Sequence, residues 1–338
     1  MVSVPNTTII APIATTFDES GDDEWVIDFM NQLRDYINKW CFVVILALGI
    51  PGNTMSLFVT LKKDNRRIST CIYMAALALV DSGVIVNAGL HKIIITHGLS
   101  TDLKENMPFL SWIWFSTNVC SISSGLFLAE MSIDRAIAVT YPMKAATICT
   151  TSKATKVVTA TFAFELIVQS QAYHMYKLPK PANGMLLREL TGDLKWAVTL
   201  FNTQMLILGT VVPFIILMVS NTIIILKIRR AANEREKLES RQRKQENGSN
   251  LRMMLLGTTL AYIICSCPKR VWETLAGALY NLSDPYWYAR YWLEFQFFTE
   301  LWLCNFAVNF YVYFLGGGRK FRNDTRDVLF VCCRKSTK

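Results

Sequence analysis

Three uncharged runs, Trp40–Leu61, Met107–Ala129 and Trp196–Leu226, each reach the roughly 20 residues that a helix needs to cross a bilayer. Four more apolar segments carry isolated charges: Cys71–Leu90, Val157–Tyr173, Met253–Leu282 and Tyr291–Leu315. In hydrocarbon every backbone N–H and C=O must be satisfied within the spanning structure, so runs of this length predict helices. The fold expected is all-α, a membrane-embedded bundle of seven transmembrane helices with its termini on opposite faces. The fourth span is the shortest and is interrupted by Glu165, Gln169 and Gln171. With 52% hydrophobic and 18% charged residues and a mean hydropathy of +0.27, the chain is too apolar for a soluble domain of 338 residues.

Basic residues set the orientation. Most of the 35 Lys and Arg fall in loops 62–67, 141–156 and 227–252 and in the tail 316–338, whereas the opposite loops are richer in acids. The positive-inside bias places the N-terminus outside and the tail in the cytosol. The net charge of +9 is therefore mainly a topology signal, and the basic residues flank spans without forming an aromatic-interleaved nucleic-acid surface. The expected organisation is a disordered extracellular segment over 1–36, a seven-span domain over 37–315 and a cytosolic amphipathic helix and tail over 316–338. The start lacks the basic and compact apolar stretches of a cleaved signal peptide, so the first span is expected to act as the insertion signal. Sequons at Asn6 and Asn281 fall on the outer face as glycosylation candidates, while those at Asn247 and Asn323 fall on the cytosolic side and match by chance.

Polar residues interrupt the spans in a definite pattern: Asn53 in the first, Asp81 in the second, Asp134-Arg135 at the exit of the third, Pro213 in the fifth, Pro268 in the sixth, and Asn309 with Tyr313 in the seventh. Charges and prolines inside a membrane are costly, and this set resembles that of the rhodopsin-family (class A) G-protein-coupled receptors from about Lys39 to the end. The resemblance implies a non-enzymatic plasma-membrane receptor that transmits through a heterotrimeric G protein. It implies an activation switch made of Asp134, Arg135, Asn221, Tyr262, Pro268, Asn309 and Tyr313, in which Asp134 neutralises Arg135 at rest. It further implies an allosteric sodium ion at Asp81 with Ser124, Asn305 and Asn309, against the alternative of a sodium-free hydrogen-bonded core, and no other cofactor.

Several positions depart from the family. Leu110 stands where the third span usually carries a disulfide cysteine, and loop 174–195 has no Cys, so no extracellular staple is expected. Ser266 replaces the Trp of the sixth span, Phe310 the proline of the seventh, Ala136 the aromatic after Asp-Arg, and Asn221 the tyrosine of the fifth. After the seventh span, Gly316-Gly317-Gly318 frees a turn. Phe321, Val328, Leu329 and Cys332 then recur at helical spacing among basic residues, which reads as a membrane-surface helix closed by a palmitoylation pair, Cys332-Cys333.

The third span has Thr117 and Asn118 where amine receptors place an acid, and the seventh has no Lys for a retinal Schiff base. Ligand-binding candidates are Thr117, Asn118, Lys269, Arg270, Glu273, Thr299 and Glu300. The two cations after Pro268 are either satisfied internally by Glu273, Glu300 and Glu165 or await an anionic ligand group. An extracellular peptide is the ligand expected; a small molecule, or proton sensing through His91, His97 and His174, is the alternative, as is a non-signalling decoy or scaffold receptor. A transporter would need inverted repeats or paired broken helices, which the sequence lacks.

Overall fold

In the computed structural model of the chain, residues 22–97, 107–171, 192–236, 243–281 and 283–335 are described. They are helical almost throughout, with no strand among them. The helices are α1 Asp22–Thr60, α2 Ser69–His97, α3 Met107–Thr140, α4 Pro142–Ile148, α5 Thr151–Val168, α6 Gly192–Leu206, α7 Val212–Glu236, α8 Arg243–Leu279, α9 Pro285–Gly316 and α10 Gly318–Lys335. A π-helical turn, Ile207–Val211, joins α6 to α7 into the fifth span. Spans one to three are α1 to α3, the fourth is α5, and the sixth and seventh are α8 and α9. Among the described residues, three helices are by length and composition alone apolar enough to cross a membrane, within Glu24–Thr60, Ser69–Ile94 and Thr199–Ala231. The other spans score lower because they carry polar and aromatic residues that turn inward, such as Ser123, Ser124 and Ser132 in α3 and Trp302 and Asn309 in α9, all buried.

Local chemistry sets the helix ends. Asp284 caps α9 by accepting from the Tyr286 and Trp287 amides at 2.8 and 3.3 Å, with Pro285 in the first turn, where its missing N–H costs nothing. Thr150 caps α5 through its bond from the Lys153 amide, so the fourth span begins earlier, at Thr151, than its apolar run suggested. Gly318, at φ 76°, lets the chain turn from α9 into α10.

One boundary is corrected. α1 starts at Asp22, so residues 22–36 are helical, not disordered as expected. A helix already nucleated in the membrane gains a hydrogen bond for each residue added, and Asp22, Asp23 and Glu24 complement the positive end of its dipole. At 39 residues α1 is about 58 Å long, well beyond a hydrocarbon core of about 30 Å. Residues 1–21, including Asn6, lie outside the described residues.

Burial is inverted relative to a soluble protein. Val43, Phe58, Leu79, Ile167, Val219 and Ile264 are exposed, as residues facing acyl chains should be, while Asn53, Asp81, Ser124 and Asn309 are buried. Without a hydrophobic drive between helices in lipid, close contact relies on small residues. Gly49 is one: a Cβ there would lie 3.0 Å from the Ala307 Cβ and collide with Ile85, so α1 packs directly on α2 and α9. Gly52 likewise leaves room for Phe310, whose Cβ would stand 3.3 Å from an added methyl.

Candidate functional site

Asp81 is fully buried at the centre of the bundle. Ser124 of α3 donates to its Oδ1 at 2.6 Å and Asn309 of α9 to its Oδ2 at 2.7 Å, so one carboxylate joins the second, third and seventh spans. Asn53 of α1 donates to the Phe306 carbonyl at 3.0 Å, bracing the first span on the seventh. Asn305 is buried one turn above Asn309 but does not bond to Asp81. The set offers carboxylate, hydroxyl and amide oxygens, the donor types a hard monovalent cation takes.

At the cytosolic end the expected Asp134–Arg135 clasp is absent from the ion pairs of the described residues. Asp134 instead accepts from Ser69 Oγ at 2.9 Å and Thr70 Oγ1 at 3.4 Å, and its backbone carbonyl accepts from the Cys149 thiol at 3.4 Å. Consecutive helical residues do not face one another, so Asp134 turns to α2 while the Arg135 Nε is buried without a partner. The Tyr313 hydroxyl is also buried and unpartnered, its ring packed edge-on to Phe321 of α10. Asn221 donates to Thr259 of α8, joining spans five and six; Ser69, Thr70 and Thr259 were not among the candidates read from the sequence.

Tyr262 has a specific partner, the Gly209 carbonyl in the π-helical turn. Pro213, four residues beyond Gly209, has no N–H to offer that carbonyl, and the hydroxyl from the sixth span takes its place. Gly125 of α3 makes the space: a Cβ there would stand 3.1 Å from the Tyr262 hydroxyl and 3.4 Å from the Pro213 Cγ. Ser266, one turn toward the outside, is buried. Pro268 lies within α8, which runs through it without interruption.

In the outer half Glu273 bridges both cations of the sixth span. Its Oε2 accepts from Arg270 Nη1 at 2.9 Å and its Oε1 lies 3.6 Å from Lys269 Nζ. Lys269 Nζ also sits 4.1 Å from the centre of the Trp302 ring. Glu300 is near enough for its charge to act on Lys269 but makes no ion pair with either cation. It pairs with Lys92 of α2 and accepts from Gln296, while Lys92 also reaches the Asn38 carbonyl of α1 at 3.4 Å. Lys92 escaped the sequence reading because the second span was ended at Leu90, whereas α2 continues to His97. Glu165, expected near the cations, is bonded by Gln169 in its own span.

Thr117 and Asn118 turn their polar groups back on their own helix, to the Ile113 and Trp114 carbonyls at 2.7 and 2.9 Å. The Thr299 hydroxyl is buried and has no partner. Trp272 is a wall residue and not part of an interfacial belt: it is buried, donates to Glu294 at 3.0 Å and packs on Tyr291 at 5.0 Å. Asn281 is exposed just beyond α8, and the side chains of Cys332 and Cys333, in the last turns of α10, lie outside the described residues.

Seven membrane helices around a buried carboxylate, with an ionic cluster toward one end and an Asp-Arg pair at the other, define a multi-pass membrane protein of the helical-bundle type. The family profile described as 7 transmembrane receptor (rhodopsin family) matches residues 52–313, and the chain belongs to that family. It is 32% identical to the thyrotropin-releasing hormone receptor of Mus musculus over 131 residues, 37% of this chain and 31% of that receptor's own length. It is 26% identical to cysteinyl leukotriene receptor 1 of Sus scrofa over 279 residues, 81% of this chain and 76% of that protein. That family and these relatives are receptors.

Proposed function

We propose that this chain is a plasma-membrane receptor with its N-terminus outside, that an extracellular peptide activates it, and that it transmits through a heterotrimeric G protein. The observation that carries the reading is the set of polar groups within the bundle, from the Lys269–Arg270–Glu273 cluster through the buried Asp81, Ser124 and Asn309 to Asp134 and Arg135. Such a set is expensive in a membrane and gives two packings of the helices different energies, as a switch requires. A sodium ion held by Asp81, Ser124, Asn309 and Asn305 would favour one packing by supplying a charge that the carboxylate otherwise lacks. The hormone named in the thyrotropin-releasing hormone receptor supports a peptide ligand. The broader coverage of the cysteinyl leukotriene receptor supports a second reading, an acidic lipid. Guanine-nucleotide exchange on a panel of purified G proteins, driven by a peptide library on the full chain in lipid nanodiscs, tests the proposal. Exchange above the level of empty nanodiscs supports signalling, and silence across the panel supports a decoy receptor.

A further inference from the structure

Among the described residues the ionic groups at this end of the bundle do not balance. Glu300 pairs with Lys92 and accepts from Gln296 through one oxygen, while its other oxygen is buried without a bond and its charge also reaches Lys269. Glu273 is left to serve two cations, bonding Arg270 at 2.9 Å and standing 3.6 Å from Lys269, beyond hydrogen-bond range. Glu165 has no cation within ion-pair distance among the described residues and is bonded by Gln169. Among the described residues two carboxylates, Glu273 and Glu300, thus face three cations, Lys92, Lys269 and Arg270, and the Trp302 face under Lys269 compensates only in part.

Arg270 is the cation with capacity left. A guanidinium suits a two-point fork with a carboxylate, yet Arg270 spends one nitrogen on one Glu273 oxygen. Its Nη2 reaches across to the fifth span, within ordinary contact distance, 3.9 Å, of where a Gly209 Cβ would be. The Arg270 side chain remains 13% exposed, accessible yet largely desolvated. That is the setting in which a charge-assisted bond discriminates most strongly.

We propose that the activating ligand carries a carboxylate and that this group docks on the free edge of Arg270 beside Gly209, completing the charge balance. The inference rests on the receptor reading above and narrows it to one ligand chemistry, whether borne by a peptide or by an acidic lipid.

The probes are two sets of matched pairs on the full chain in nanodiscs with G protein: tetrapeptide pools with free or amidated C-termini, and long-chain fatty acids with their methyl esters. One charged set should drive exchange at a concentration about tenfold or more below its neutral counterpart, and the active set identifies the source. Arg270→Gln should bring the ratio close to one, while Arg270→Lys, which keeps the charge, retains most of it. Equal potency of charged and neutral members on the wild type, or a preference that survives Arg270→Gln, overturns the inference. A ligand-free measurement separates its failure from that of the signalling reading. Lys269→Gln leaves one cation per carboxylate and should raise the Tm of the purified chain, whereas an unchanged or lower Tm means that the cluster is balanced without a ligand. If no pool drives exchange, the signalling reading falls and the Tm alone decides the charge balance.

Discussion

The Tyr262 hydroxyl donates to the Gly209 carbonyl, the acceptor that Pro213 leaves without a helical N–H. Tyr262→Phe should leave that carbonyl unsatisfied and destabilise the bundle by about 1–3 kcal/mol, read as a lower Tm in detergent. Pro213→Ala in the same chain restores an N–H four residues on and should recover part of the loss. A double variant no more stable than Tyr262→Phe alone would show that the hydroxyl is not standing in for a helical bond.

The Asp81 site yields a salt prediction. Replacing potassium by sodium at constant ionic strength should raise the Tm of the ligand-free chain, because binding to the folded state alone stabilises it. Asp81→Asn should erase the difference, since it removes the charge a hard cation needs. A wild-type Tm indifferent to the exchange leaves a hydrogen-bonded core without an ion.

Because Asp134 is held by hydroxyls of α2, Ser69→Ala and Asp134→Asn loosen the same contact and should raise basal nucleotide exchange in the same direction. Arg135→Ala should abolish exchange with surface expression retained. Opposite effects of the first two variants would disprove the shared contact.

α10 is tied to the first cytosolic loop by Lys62, which bonds Asp324 at 2.6 Å and Asp327 at 3.0 Å, and by Asn65, which bonds Asp324 at 2.9 Å. Burial opposes ionisation of Asp324, but the bonds from Lys62 and Asn65 outweigh it and hold the carboxyl below its ordinary range. A lowered carboxyl pKa stabilises the tie above the unfolded value of about 4, and this is lost as pH falls through the folded pKa. Amide-exchange protection of α10, corrected for intrinsic chemistry, should therefore fall below about pH 4. Asp324→Asn should show the low protection at neutral pH as well.

None of the cysteines Cys41, Cys71, Cys120, Cys149, Cys265, Cys267 and Cys304 is in a disulfide. A membrane-impermeant reductant should leave agonist-driven exchange unchanged. Loss of the response under it would place a disulfide in the outer loops.

The spans and the Asp81 site were legible because their signals are local: a charge or amide within an apolar run has few places to go. The ties between spans were not. Nothing in the sequence around Ser69 announces a partner for Asp134, and Lys92 looks like a loop residue until α2 is seen to run past it. The Tyr262 bond depends on Gly125 and Pro213 in two other helices, a coincidence that only packing brings about. The extension of α1 was missed because its charges read as disorder, although a helix anchored in lipid needs no apolar face of its own to persist.

With Phe310 in place of proline, α9 runs from Pro285 to Gly316 without an internal proline to bend it. Glu300 and Tyr313 therefore ride on one rod, about 20 Å apart. Such a rod acts as a piston: a tilt or axial shift imposed by the ionic cluster at its outer end arrives undamped at the cytosolic end. The seventh span therefore relays displacement as a rigid body, and bending between the two faces is left to spans that carry a proline or a π-helical turn, such as the sixth at Pro268 and the fifth at Ile207–Val211.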